Sequence, residues 1–490
     1  MRRCHNNRDM KKTHSLSVNF IFNLLYQISL YAVPLVTTPY LSRVLGPDGI
    51  GHYAFVQSIA SYFVLAATLG TTLYGQRRIA ALKEDPTAKT RAFYEIFALR
   101  LCTTLLAGLI YLLFVVPNSG DPVLYLLLGL DILAVACDIS WLYQGDECFH
   151  VIAGCSGICK LVSIVLILLF VKEPSDINVY AFIFSGMAVL GFITQWLCLK
   201  GHLEKRPTVR PAAVKAHLRP ALGLFAAQVA TQIYTVFDKT MIGLITRSDA
   251  QNGYYEQSQK VIHVLVILAT SLGTVMASRV SFLWNQQRKK EVQGLILDSF
   301  RIIFSMTFPI AAGVALIAQR FVPCYYGEGY EPVAPLLGIL SLLVPIIGCS
   351  NVLGTQYLVP TDRERWVTRS SFVGAAVNVV LNSVLIFRFQ AVGAAIASIA
   401  AESCVSAVQF WVVRKEIDLP RVAGLAGRYF TCCLPMIGLG MILNHFMPQN
   451  LVGMMVIIFA CAAVYAGTLL VLKDPLLKKV LEMIRSGKRQ

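Results

Sequence analysis

Residues 451–472 read LVGMMVIIFACAAVYAGTLLVL, a run without one charged side chain. A helix of that length extends about 33 Å and crosses a hydrocarbon core about 30 Å thick. A strand reading fails, because a membrane strand alternates apolar and polar residues over about ten positions. This run, like LVSIVLILLFV at 161–171, is apolar on every side. Working outward, runs of this kind recur at 16–38, 50–74, 93–116, 122–143, 151–171, 178–198, 220–245, 253–278, 295–318, 333–358, 367–387, 391–413 and 425–446. The fold class is an all-α polytopic membrane protein of about fourteen transmembrane helices. The spans 220–245 and 253–278 are amphipathic, since they carry Asp238, Lys239, Glu256 and Lys260. The apolar run from Val18 ends in Pro39-Tyr40-Leu41-Ser42-Arg43 without a small-residue cleavage site, so it reads as a retained span and not a signal peptide.

Composition excludes other classes. The chain is 56% hydrophobic and 14% charged, against about 25% charged in soluble domains. Its net charge of +16 lies in short loops and not on one face of a domain, which argues against nucleic acid as a partner. The cysteines fall mostly inside apolar segments with no CxxC, as small buried apolar residues do. No metal or organic cofactor is implied. There is no GxxxxGK[ST] phosphate loop and no loop long enough for a catalytic domain, so the chain does not read as an enzyme.

Lys and Arg set the orientation. The loops on the side of both termini are basic: 2–12, 77–91, 200–219, 279–290, 363–369, 414–428 and 473–489. The opposite turns hold only Arg43, Lys172, Arg247, Arg320 and Arg388, against Asp48, Asp121, Glu173, Asp176, Asp249, Glu328 and Glu331. Both termini are expected in the cytoplasm.

The chain also repeats itself. Gly51-His-Tyr-Ala-Phe-Val-Gln-Ser58, Thr68-Leu-Gly-Thr71 and Arg77 match Gly253-Tyr-Tyr-Glu-Gln-Ser-Gln-Lys260, Ser271-Leu-Gly-Thr274 and Arg279 at nearly equal spacing. Both copies start on the same side, as in transporters that bind substrate between parallel repeats. The expected organisation is an N-lobe at 1–200 (helices 1–6), a basic cytoplasmic linker at 201–219, a C-lobe at 220–415 (helices 7–12), and two further helices with a basic tail at 416–490.

The segments PYLSRVLGPDGIGHYAF (39–55), YFVLAATLGTTLYGQRRIA (62–80), WLYQGDECF (141–149), VFDKTMIGL (236–244), GYYEQSQKV (253–261), SLGTVMASRVS (271–281), LGTQYLVPTDRE (353–364) and VGAAIASIAAE (392–402) resemble the polysaccharide-transport, Wzx-type flippases. These are a branch of the multidrug/oligosaccharidyl-lipid/polysaccharide exporter superfamily, and the blocks span most of the chain. Ala277-Ser278 and Cys148 depart from the pattern. The resemblance implies a fold like that of the MATE and MurJ transporters and alternating access between two six-helix lobes. It implies an undecaprenyl-pyrophosphate-linked glycan as cargo, for capsule or exopolysaccharide, in the bacterial cytoplasmic membrane. Membrane lipid, a polysaccharide polymerase and glycosyltransferases are the implied partners.

A charge in the hydrocarbon costs at least about 2.5–3.5 kcal/mol, so it normally faces a partner or an aqueous cavity. Arg100, Lys160, Asp298 and Arg301 lie near the inner face and can snorkel. A pyrophosphate needs lasting cations, and Arg43, Lys239 and Lys260 are the headgroup candidates. The competing reading pairs Asp238 with Lys239 and Glu256 with Lys260. Asp131, Asp238, Glu256, Glu402 and His263 are candidates for ion coupling. Asn19, Asn23, Gln27 and Ser29, and then Gln228, Thr231, Gln232 and Thr235, form polar helix faces. Of these, Asn23, Gln27, Gln228 and Gln232, with Tyr26 and Tyr234, are candidate cavity and sugar contacts, and Tyr254 and Tyr255 lie close by. Rival readings are a cation-coupled multidrug exporter, a lipid II flippase and, more remotely, a multi-pass glycosyl- or acyltransferase. The exporter predicts an anionic cavity, the lipid II flippase a more broadly cationic one, and the transferase an acid–base set at an aqueous face.

Overall fold

The structure is a computed structural model that describes residues 16–204, 207–271 and 273–475, almost all of them helical. The helices fall into two units, 1–232 and 233–490. In the first lie α1 (Leu16–Thr68), α2 (Thr71–Ala81), α3 (Pro86–Ile110), α4 (Pro122–Leu128), α5 (Leu130–Cys137), α6 (Ser140–Gly145), α7 (Phe149–Phe170) and α8 (Ile177–Leu197). Helix α9 (Pro211–Thr246) contributes residues to both units. The second holds α10 (Asp249–Thr270), α11 (Gly273–Asn285), α12 (Lys289–Tyr325), α13 (Val333–Leu340), α14 (Leu343–Leu353), α15 (Glu364–Val413), α16 (Leu419–Phe446) and α17 (Leu451–Val471).

Among the described residues, nine helical stretches, some of them successive helices run together, are long and apolar enough to cross a membrane. Two of them are pairs of spans run together, because the backbone leaves helical geometry at Gly46 in α1 and at Gln390 in α15. Other spans are broken or charged: 122–145 is apolar but divided into three short helices, and α10 carries Glu256 and Lys260. Segment by segment, the helices are consistent with the fourteen expected spans. Helix α9 starts at Pro211, inside the stretch read as a linker, and continues through Pro220. Proline at the first turn costs little, because its missing N–H has no intrahelical partner there.

Polar side chains in the turns poor in Lys and Arg serve as caps. Asp121 accepts from the Leu124 amide ahead of Pro122, and Asn450 accepts from Gly453 at the start of α17. Each satisfies a backbone donor that the first helical turn leaves free. On the opposite side, Asp85 caps α3 through the Ala88 amide.

In the two copies of the repeat the described helices end and restart within one residue of the same motif position. Helix α1 ends at Thr68 and α2 starts at Thr71, with Leu69 and Gly70 both left-handed. Helix α10 ends at Thr270 and α11 starts at Gly273. Both glycines are tightly enclosed: a Cβ on Gly70 would stand 2.4 Å from the Ala221 carbonyl oxygen, and one on Gly273 would stand 2.7 Å from Asn351 Oδ1. After the break, α2 packs on α6, with Gly75 against Trp141 and Gly145 against Ile79, while α11 packs on the π-helical turn 354–358.

Each unit also closes its loops at the basic side with an ion cluster. In the first, Asp146 accepts from Lys89 at 3.1 Å and lies 3.2 Å from His202. In the second, Glu416 takes both arms of Arg363, at 2.7 and 2.8 Å, and the Tyr357 hydroxyl. The apolar core of the second unit includes Ile242, Tyr255, Tyr326 and Tyr330. Large apolar side chains such as Phe387 and Val471 are exposed, as lipid-facing residues are in a spanning helix.

Candidate functional site

Helices α9 and α10 form a tight hairpin, turned at Arg247 in the left-handed region. The hairpin sets residues of the two helices side by side, so that Asp238 meets Tyr255 and Lys239 meets Glu256. These adjacent pairs point about 100° apart round each helix and therefore into different surroundings.

Asp238 is fully buried. It accepts from the Tyr255 hydroxyl, from Ser398 Oγ at 2.6 Å and from Asn382 Nδ2 at 2.6 Å. Asn382 also donates to Asn378 Oδ1 at 3.0 Å, and Gln259 donates to the Tyr255 hydroxyl at 3.0 Å. Asn378 and Asn382 lie before the Gln390 kink of α15 and Ser398 after it, so the kink folds both halves of α15 round one carboxylate. All of these partners are neutral. Beside them is a cavity of about 60 Å³, lined by Gln259, His263, Asn378, Ser398 and Glu402 among others. That volume suits a few waters or an ion and is too small for a sugar ring.

Lys239 Nζ is 3.0 Å from Glu256 Oε2, and Lys260 Nζ is 3.3 Å from Glu256 Oε1. The cluster therefore carries two positive charges and one negative. Lys239 and Glu256 are nearly buried, while Lys260 is 35% exposed. Glu256, Lys260 and His263 share one face of α10, which runs from the lysine pair towards the cavity.

The structure thus sorts the residues singled out from sequence. Lys239, Lys260 and Glu256 come together, and Glu402 and His263 line one cavity. Asp238 does not pair with Lys239, because Tyr255, Asn382 and Ser398 occupy its oxygens and Lys239 turns to Glu256. Tyr255, which the sequence places near the candidate sugar contacts, is buried and committed to Asp238, so it offers no ring face to a sugar. Arg43 is exposed in the other unit and donates to the Pro39 carbonyl of its own helix. Asp131 is half-buried on α5 with Ser185 of α8 as its polar neighbour. Gln228 and Gln232 are half-buried, and Gln228 Oε1 has no partner among the described residues. The side chains of Asn23, Tyr26, Gln27 and Tyr234 lie outside the described residues.

Arg100 does not snorkel. It is 1% exposed and donates to Asp138 at 2.8 Å, to the Val135 carbonyl at 2.8 Å and to Thr72 at 3.2 Å. Asp138 stands where the helix breaks between α5 and α6, and its other oxygen accepts from the Ser140 amide. The guanidinium thus serves the backbone that the break leaves open, as polar groups must inside a membrane. Sequence reasoning passed over Asn378, Asn382 and Ser398 as well. A signal for two of them was present: paired amides four residues apart on one face of an otherwise apolar span.

A family model described as "Polysaccharide biosynthesis protein" matches residues 16–282. A protein of Escherichia coli (strain K12) named "Putative O-antigen transporter" is 25% identical over 411 residues, covering 82% of this chain and 97% of that protein. Among solved structures, "Lipid II flippase MurJ, inward closed conformation" superposes with a TM-score of 0.75 at 13% identity, covering 94% of this chain and all of that one. An inward-facing multidrug resistance MATE family transporter of the MOP superfamily superposes at 0.64 and 13% identity, covering 83% of this chain and 98% of that one. At these identities the two structures establish a shared fold.

Proposed function

The chain belongs to the polysaccharide biosynthesis protein family, in its Wzx-type transporter branch, and we propose that it flips a lipid-linked oligosaccharide from the inner to the outer leaflet by alternating access. The cargo of this reading is an undecaprenyl-pyrophosphate-linked repeat unit destined for capsule or exopolysaccharide. The observation that carries it is the net-positive Lys239–Glu256–Lys260 cluster, half-buried within spanning helices. Two ammoniums that share one carboxylate within a pair of spanning helices leave a net positive charge for a visiting anion. The sequence relative named as an O-antigen transporter, matched over nearly its whole length, supports the same class of cargo.

In this reading the lobes are 1–200 and 220–415, 201–219 links them, and 416–490 is appended. The protein sits in the bacterial cytoplasmic membrane with both termini inside, beside the glycosyltransferases and the polymerase that handle the glycan. Arg43 adds a third headgroup contact, and Asn23, Tyr26, Gln27, Gln228, Gln232 and Tyr234 touch sugar. Energy enters through a cation or proton. Asp238, enclosed by neutral oxygen-bearing side chains, is the strongest coupling candidate, with Glu402 and His263 at the adjoining cavity. Asp131 and Glu256 are the remaining coupling candidates. A cation-coupled multidrug exporter fits less well, because its cavity should be anionic where this cluster is cationic. A lipid II flippase would need a more broadly cationic site.

The test is leaflet exchange of a fluorescent undecaprenyl-pyrophosphate-linked glycan in liposomes, with and without ion gradients. Movement should require the protein, fall sharply on charge reversal at Lys239 or Lys260, and survive in part with Arg at either. Asp238→Asn should remove the response to the gradient. Full activity with Gln at both lysines, or uptake of a cationic dye without glycan movement, overturns the reading.

A further inference from the structure

Glu256 is the one anion in the cluster, and it is arranged as a ligand would be. Each of its carboxylate oxygens takes a different lysine, at 3.0 and 3.3 Å, so the carboxylate bridges the two ammoniums as a small bidentate oxyanion does. Such charge-assisted contacts are strong when screened from water. The cluster is also lopsided in access: Lys260 is 35% exposed, whereas Lys239 and Glu256 are 13% and 12% exposed. A phosphate arriving from the open side meets Lys260 first and reaches Lys239 only where Glu256 now stands.

We infer that Glu256 is a built-in place-holder for the phosphoanion: it occupies the lysine pair when the site is empty, gives way to a diphosphate ester, and returns to expel it. This inference rests on the reading that Lys239 and Lys260 bind the headgroup. A diphosphate brings a second negative charge that one carboxylate lacks, so it matches two ammoniums better than Glu256 does. Without the competitor, the nearly buried Lys239 and the partly exposed Lys260 would together hold a diphosphate so firmly that release would limit turnover. Binding that is equally tight at every stage of a cycle does not speed the cycle. Glu256 is therefore a positioning residue that sets affinity: it stands in the ligand's place when the site is empty and does not carry the ligand. Its companions on the same face of α10, Lys260 and His263, lead to the cavity that holds Glu402. The displaced carboxylate thus has polar neighbours to turn towards.

The experiment measures binding of farnesyl pyrophosphate, with farnesol as the uncharged control, to the full chain in phosphatidylcholine nanodiscs. Glu256→Gln should bind at least about tenfold tighter than wild type, with a steeper loss of affinity in salt and slower glycan movement in liposomes. A purely structural salt bridge predicts the reverse, weaker binding from a loosened site. Equal or weaker binding by a folded Glu256→Gln overturns the place-holder. Should that variant fail to fold, Glu256→Asp, whose carboxylate is drawn back by one methylene, must still bind more tightly than wild type, and no change there also overturns it. Unaltered binding by Lys239→Gln/Lys260→Gln would instead remove the underlying headgroup reading. Complete displacement of the probe by phosphatidylglycerol in the nanodisc would assign the lysines to a membrane lipid and end the proposal.

Discussion

The buried charges of this protein are settled by what surrounds them, and two give direct predictions. Arg100 and Asp138 form a pair that is nearly inaccessible to solvent. Removing one partner of a buried pair strands the other, at a cost of about 3–5 kcal/mol. Arg100→Met and Asp138→Asn should each cost about that much, and the double variant clearly less than the sum, read from melting of the detergent-solubilised protein. Additive losses would mean that the two side chains act separately. Asp146 gives a pH prediction. Burial alone would raise its carboxyl, but the hydrogen bond from His202 and the Lys89 ammonium hold it below the usual carboxylate range. A depressed carboxyl stabilises fully above its unfolded value near about 3.9, and that share is lost as pH falls through the folded one. Asp146→Asn should therefore cost about 2 kcal/mol at pH 7, while at a pH low enough to protonate the wild-type carboxyl its melting temperature should meet that of wild type. At this scale the sequence was legible in kind only. It marked Lys239, Glu256, Lys260 and Asp238 as buried charges, because rarity in an apolar run marks them. It could not say that Asp238 turns to Asn382 and Ser398, since those partners lie more than 140 residues away.

Helices were legible where they are continuous and hidden where they break. A window over 122–143 sums hydropathy and sees one span, yet the chain there is three helices, because Arg100 and Asp138 make the open backbone tolerable. Whether a break is affordable depends on a residue in another helix, which no local window contains. The repeated LGT motif was visible as a pattern, and its physical meaning differs between copies. Gly70 is left-handed and would drive a Cβ into the backbone carbonyl of Ala221. Gly273 would meet the ends of the Asn351 and Gln356 side chains and no backbone atom among its three nearest neighbours. A left-handed position alone costs a residue with a side chain about 1–2 kcal/mol, before any clash. Gly70→Ala should thus lose expression and thermal stability, while Gly273→Ala should lose less, by about 1 kcal/mol or under. Equal damage at both positions would show that the motif is used in the same way in both copies.

For the molecule as a whole, sidedness follows from charge and from counting, and the two lines are independent. Lys and Arg crowd one set of loops, while the opposite turns hold five of them against seven acids. Several of those acids have local work: Asp121 caps α4, and Asp176 binds the amides of Lys172 and Glu173. Caps can be satisfied on either face of a membrane, so their position carries no orientation, and the bias in Lys and Arg must decide it. Counting gives a separate constraint. The segments Gly51–Ser58 and Gly253–Lys260 are copies of each other, and each enters a helix that breaks at the same LGT motif. Copies related in this parallel way must start on the same side, which requires an even number of crossings between them. The helices from α1 to α9 supply that number only if 122–145 crosses once despite its breaks and α9 crosses despite its charges. Alkaline phosphatase, active only outside the cytoplasm, should therefore report activity when inserted at Gly120, Glu328 or Gln449, and none at Asp85, Arg210 or Gln287. Activity at both Gly120 and Arg210 would mean that 122–145 does not cross as one span. The repeat would then be inverted in the membrane, and a mechanism that treats its copies as like-oriented lobes would fail with it.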